Sequence, residues 1–220
     1  MAKKAHIRDL SIFEDEKVLK QSLDEVRNNY RPYDPGSYLY NKLLTYAFED
    51  KFSDEFIELV YVTLSAWNMN SRGAKLNEFT AFKDTIRNNK ALINEFASIH
   101  IVTSESISAL QDLRPLFMNL KLVADGKPPL VTFSKTLHFY LPDLIIPIDR
   151  RYTLNYFQGH TNLPTKLENQ FTRFLMIESA YAQFAEGKEL SIHLDKNWNR
   201  NIPKLLDNMV IGYIRIHDKN

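Results

Sequence analysis

Apolar residues return at helical spacing along most of this chain, and the positions between them are polar. Val18, Leu19, Leu23 and Val26 form one apolar side of a helix predicted over 16–28, and a shorter helix is predicted over 39–48. Phe56, Leu59, Val60, Thr63, Leu64 and Trp67 define a broader buried face. Ser53 stands where its hydroxyl would cap that helix, and Asp54 and Glu55 suit its positive first turn. FTAFKDTI and ALINEFASI read as a helical pair divided at Asn88 and Asn89. Another helix is expected from Ser106 into Leu122, with Pro115 starting its second half or kinking it. Thr132 is expected to cap a helix carrying Phe133, Leu137 and Leu141, and Asp149 to cap 150–157. The last two helices are expected over 164–184 and 202–214, each begun by a proline near its first turn.

Breaks in the pattern fall at proline and glycine. In YRPYDPGSYLY, Pro32, Pro35 and Gly36 favour an irregular connection. Its tyrosines Tyr30, Tyr33, Tyr38 and Tyr40 either pack that loop on the core or line a surface for a base. WNMNSRGAKL and ADGKPPL are further turns. The runs LVYVTL and DLIIPI would suit short strands, but no repeated βα rhythm and no glycine-rich phosphate loop accompany them. The expected fold is therefore mainly α, a single compact helical unit over 1–220 in one or two lobes. Leu59, Leu64, Trp67, Leu137 and Leu141 are expected in its interior.

Composition narrows the function classes. With 220 residues, 44% hydrophobic and 25% charged, the chain is long enough to bury a core without staples and unlike a disordered one. No apolar run approaches the roughly 20 residues of a membrane-spanning helix, and MAKKAHIRDL lacks the apolar run of a secretory signal. A soluble, cytoplasmic protein with no membrane partner is the expectation. The absence of cysteine excludes disulfides, a thiol nucleophile and cysteine-held zinc or iron–sulfur clusters. His100, His160, His193 and His217 show no metal-ligand spacing, so no metal and no cofactor are expected. The formal charge of +1 provides no bulk attraction to nucleic acid, and a local patch must supply any. The stretch from Lys196, with Arg200, Lys204, Arg215 and Lys219 against Asp207 and Asp218, is one candidate.

The segment VTFSKTLHFYLPDLIIPIDRRYTL holds the candidate chemistry. Lys135 near the start of one predicted helix and Asp149 near the start of the next would converge if those helices pack as a hairpin. A neutral lysine amine attacks an electron-poor carbon, and a carboxylate holds the amine, takes its proton or steadies developing positive charge. The plainer alternatives are an ordinary ion pair, or a solvated lysine beside a helix-capping aspartate. His138, three residues beyond Lys135, would position a substrate or be a satisfied core histidine. Arg150 and Arg151, like Arg72 and Lys75, would contact phosphates or solvate a helix start. Tyr140, Tyr152, Tyr156 and Phe157 would stack on a base or pack the core.

Together, LSAW at 64–67, Ser134-Lys135-Thr136 and Pro147-Ile148-Asp149 resemble the helix-hairpin-helix DNA glycosylase superfamily over about 56–157. That resemblance implies a two-lobed helical bundle and a DNA base-excision glycosylase, with or without lyase activity, acting on duplex or damaged DNA. It implies Lys135 as nucleophile at the sugar C1′ and Asp149 as the carboxylate aiding base departure. Trp67 and Asn68 would fill the gap left by a flipped base, with His138, Arg150 and Arg151 lining the substrate. Where the family has a Gly-x-Gly hairpin, this chain has Leu130-Val131-Thr132-Phe133. A non-catalytic nucleic-acid-binding relative, or a helical interaction protein unrelated to DNA, are the alternatives.

Overall fold

A computed structural model describes residues 8–29, 34–45, 50–70 and 75–218. Tyr30, Pro32, Tyr33, Phe48, Ser71, Arg72, Gly73 and Lys219, invoked above, lie outside the described residues. Helices dominate, and among the described residues no strand is present beyond an isolated antiparallel bridge between Leu76 and Val123. The mainly α expectation therefore holds. LVYVTL lies inside a helix, and DLIIPI contains no strand.

The helices are α1 (Glu16–Asn29), α2 (Pro35–Thr45), α3 (Asp54–Ala66), α4 (Phe79–Asn88), α5 (Lys90–Asn94), α6 (Ser106–Asp112), α7 (Arg114–Asn119), α8 (Leu130–Tyr140), α9 (Asn155–Gln158), α10 (Leu167–Ala185) and α11 (Ile202–His217). A π-helical turn, Arg150–Leu154, leads directly into α9. Ser53 caps α3 by accepting from the Phe56 amide, and Asn201 caps α11 by accepting from that of Lys204. Pro115 starts α7 after a break at Leu113.

Three expected boundaries move. Pro35 and Gly36 open α2 instead of forming a turn, because proline's fixed φ suits a first helical position. Thr132 caps nothing: α8 already begins at Leu130, and Lys135 sits in its middle. Helix α10 begins at Leu167, beyond Pro164.

Helix α8 is the core of the protein, with every residue from Leu130 to Tyr140 buried. Helices α3 and α10 pack on it, and α6 and α7 pack on α10. Phe117, Phe133, Phe171 and Phe174 join α7, α8 and α10 through edge-on and tilted rings at 4.7–5.3 Å. Leu64, Leu137 and Leu141 are interior as expected, while Leu59 and Trp67 are only partly covered. Helix α1 lies along α11. Gly212 permits that approach, since a Cβ there would stand 1.8 Å from the Ser22 carbonyl oxygen. No described helix is long and apolar enough to cross a membrane.

Candidate active site at the Lys135–Asp149 pair

After α8 the chain reverses at Leu141–Leu144 and returns through 145–149 as a buried extended segment. A buried backbone without a strand partner still needs its polar groups satisfied, and here side chains do much of it. His138 Nδ1 bonds the Ile145 carbonyl at 2.6 Å, Glu178 of α10 accepts from the Ile146 amide at 3.1 Å, and Ser134 Oγ accepts from the Ile148 amide at 3.1 Å. Thr153 Oγ1 accepts from the Asp149 amide at 3.0 Å. This stitching runs the segment back along α8 and brings Asp149 opposite Lys135. The two meet through a side-chain-bonded return, not through adjacent helix starts.

Lys135 Nζ donates to Asp149 Oδ2 at 3.2 Å. The lysine side chain is 7% exposed and the aspartate 30%, so the pair is reached from solvent on the carboxylate side. Asp149 Oδ1 accepts from the Arg151 and Tyr152 amides at 2.7 and 3.2 Å, capping the π-helical turn. Burial pushes the Asp149 carboxyl up, but the Lys135 ammonium and the two amides outweigh it and hold it below the usual carboxylate range. Asp149 is thus both the ion-pair partner of Lys135 and a helix cap, and the lysine is buried where the second alternative had it solvated.

Trp67, the last position of LSAW, ends α3 beside this pair. The Lys135 ammonium lies 5.4 Å from the Trp67 ring centroid, a cation–π contact. The indole stacks on Phe139 at 5.4 Å and tilts against Tyr40 at 5.7 Å. It also rests on Gly36, where a Cβ would stand 2.4 Å from its Cδ1. Trp67 is therefore a wall of the site, held on three sides. Asn68 follows it exposed, in the left-handed conformation with φ 61°.

His138 is sealed in the core. Its Nδ1–H donates to Ile145, so its Nε2 accepts from the Tyr40 hydroxyl at 2.9 Å. Burial drives its pKa down to about 3, aided by Lys204 and Lys51 and opposed by the Ile145 carbonyl. The structure does not bring it to the opening. The Arg150 guanidinium donates twice to the Thr161 carbonyl, at 3.0 and 3.1 Å, so it fastens a loop. Arg151 is exposed, its guanidinium 5.3 Å from the Tyr152 ring centroid. Tyr140, Tyr156 and Phe157 are core residues.

Beside the site, Asp207 and Glu178 carried no candidate role above, and Lys204 figured only in the basic stretch from Lys196. Lys204 Nζ bonds Asp207 Oδ2 at 2.6 Å and lies 5.9 Å from the Tyr40 ring centroid. Glu178 is fully buried, and burial raises its carboxyl well above the usual range. The available signal was a carboxylate on an otherwise apolar face, as in LMIESAYA and KLLDNMV. No group of three or more His, Asp or Glu among the described residues is arranged to hold a metal.

Comparison with known proteins finds no matching family model, no matching curated protein and no matching solved structure.

Proposed function

We propose that this protein is a DNA base-excision glycosylase whose reacting centre is Lys135, Asp149 and the Trp67 wall. One observation carries the reading: three residues that the family resemblance singles out, far apart in sequence, lie within about 5 Å steps of one another. In the proposed reaction the Lys135 amine, freed of one proton, forms a bond to C1′ as the C1′–base bond breaks. The bonding pair leaves with the base, which takes up the proton the new secondary ammonium sheds; the C1′–O4′ bond then breaks as the nitrogen pair forms C1′=N, and O4′ takes up a proton, which gives the Schiff base. Asp149 faces solvent beside the amine and steadies the positive charge developing on the sugar. Lys135 is nearly covered, so the amine reaches a nucleotide only after its ion pair parts.

The test is covalent. Duplexes carrying oxidised, deaminated, alkylated and abasic sites are incubated with the protein and borohydride, which reduces a Schiff base to a stable adduct. The parent protein is expected to form an adduct with at least one duplex, and Lys135→Ala none. Asp149→Asn keeps much of the shape and is expected to lower the yield more than tenfold. No adduct across the panel overturns the lysine mechanism. The burial of Lys135 favours a second reading, a non-catalytic base-binding relative. That reading expects salt-sensitive binding of damaged duplex without any adduct, unchanged by Lys135→Ala and weakened by Arg151→Ala.

A further inference from the structure

The fold sorts the basic stretch that begins at Lys196. Lys204 is spent on Asp207 at 2.6 Å and Arg215 on Glu25 at 3.3 Å. Arg200 is half-exposed and forms no ion pair among the described residues. Its Nη1 donates to the Lys196 carbonyl at 2.6 Å and reaches Asn41 Oδ1 at 3.5 Å, while its Nε and Nη2 meet no acceptor among those residues.

The loop that carries Arg200 is held to one shape. Asp195 Oδ1 accepts from the amides of Asn197, Trp198 and Asn199 at 2.6–3.3 Å. Asn208 of α11 donates to the Trp198 carbonyl at 2.8 Å and to Asn199 Oδ1 at 3.0 Å, and Asn201 caps α11 directly after Arg200. A guanidinium already placed by its backbone loses less freedom when it binds.

Contacts carry this arginine to the candidate site. Asn41 adjoins Tyr40, whose ring centroid lies 5.7 Å from that of Trp67, and the Lys135 ammonium lies 5.4 Å from Trp67 and 3.2 Å from Asp149. At the far end of this run stands Arg151, two residues past Asp149, exposed and without an ion pair among the described residues. Tyr156 of α9 meets Tyr213 late in α11 at 5.6 Å, so the Asp149-capped turn and α11 run the same way and begin at the same end of the molecule. Two guanidiniums with no carboxylate to surrender thus bracket a row of aromatic rings. That order suits a nucleic-acid strand, in which phosphates recur on either side of each base. A guanidinium also takes two phosphate oxygens at once.

We propose that Arg200 is a phosphate-binding residue of this site, holding the strand on the α11 side while Arg151 holds it beside Asp149. The identity of the strand rests on the glycosylase reading above.

Equilibrium binding of a fluorescent duplex with a central tetrahydrofuran abasic analogue, titrated over a range of salt concentrations, tests the contact without any chemistry. Arg200→Ala is expected to weaken binding several-fold and to make the slope of log K against log salt shallower by about 1, the loss of one phosphate contact. Asn41→Asp keeps the arginine but pairs it with a carboxylate, and the same shift is expected with the loop intact. Arg114→Ala removes one charge from an arginine already bonded to Glu168 and should leave the slope unchanged. A purely structural role for Arg200 lowers the melting temperature and leaves the slope at the parent value. An unchanged slope in both Arg200→Ala and Asn41→Asp, or a parent that binds no duplex, overturns the proposal. A protein that traps no adduct under borohydride yet shows both slope changes loses the lysine mechanism and keeps the Arg200 contact. One that traps the adduct with neither slope moved keeps the mechanism and loses the contact.

Discussion

His138 and Glu178 both satisfy the backbone of the buried 145–149 segment, and they do so in opposite protonation senses. His138 binds fewer protons folded than unfolded, with its pKa at about 3 against an ordinary value near 6.5. Its contribution to stability is complete above about pH 6.5 and is lost as pH falls towards 3. Replacing it with Gln, which also donates and accepts, is expected to flatten the loss of stability between pH 6 and pH 4. The parent should lose about 2.5 kcal/mol more than the variant over that interval, read from urea unfolding at each pH. An equal slope would show that the histidine is charged in the fold. Glu178 binds more protons folded than unfolded, because burial disfavours its anion. Its contribution is complete below about pH 4.5, the ordinary carboxyl range, and falls as pH rises towards its elevated folded pKa. Glu178→Gln removes that ionisation, so the variant should gain at least about 1 kcal/mol on the parent between pH 4.5 and pH 8. A parent and variant with parallel pH profiles would mean that Glu178 is already ionised inside the protein.

At the scale of elements, the approach of α1 to α11 depends on one missing side chain. Gly212→Ala would place a methyl against the Ser22 backbone, which has no flexible end to yield. Overpacking of this kind costs about 1–3 kcal/mol or more, and the expected loss of melting temperature is several degrees, against little change for Gly126→Asn on the loop, where asparagine tolerates the φ of 73°. A neutral Gly212→Ala would mean that the two helices move apart freely. The sequence made α3, α11 and the caps at Ser53 and Asp149 partly or wholly legible, because helix ends are set by local chemistry: an oxygen acceptor, a following apolar period, a proline in the first turn. It made Lys135 and Asp149 legible as a candidate pair through residue type and resemblance. It hid how they meet. The 145–149 return is held by Ser134, His138, Thr153 and Glu178, four side chains from three separate places in the chain, and no local period announces such a pattern.

For the whole molecule, α8 is wrapped on all sides and the candidate site lies where α2, α3, α8 and α11 come together. The side chains gathered there come from positions 40 to 207 of the chain and meet only in the finished fold. The clasp between α1 and α11 carries this furthest, with Arg215 Nε bonded to Glu25 Oε1 at 3.3 Å across 190 residues of chain. During synthesis α1 leaves the ribosome long before α11 exists. At roughly 5–20 residues per second its apolar stripe, Leu19, Leu23 and Val26, waits on the order of ten seconds for the surface that covers it. Helix α1 is made early and covered late, and the nascent chain spends that interval with an adhesive face turned to its surroundings.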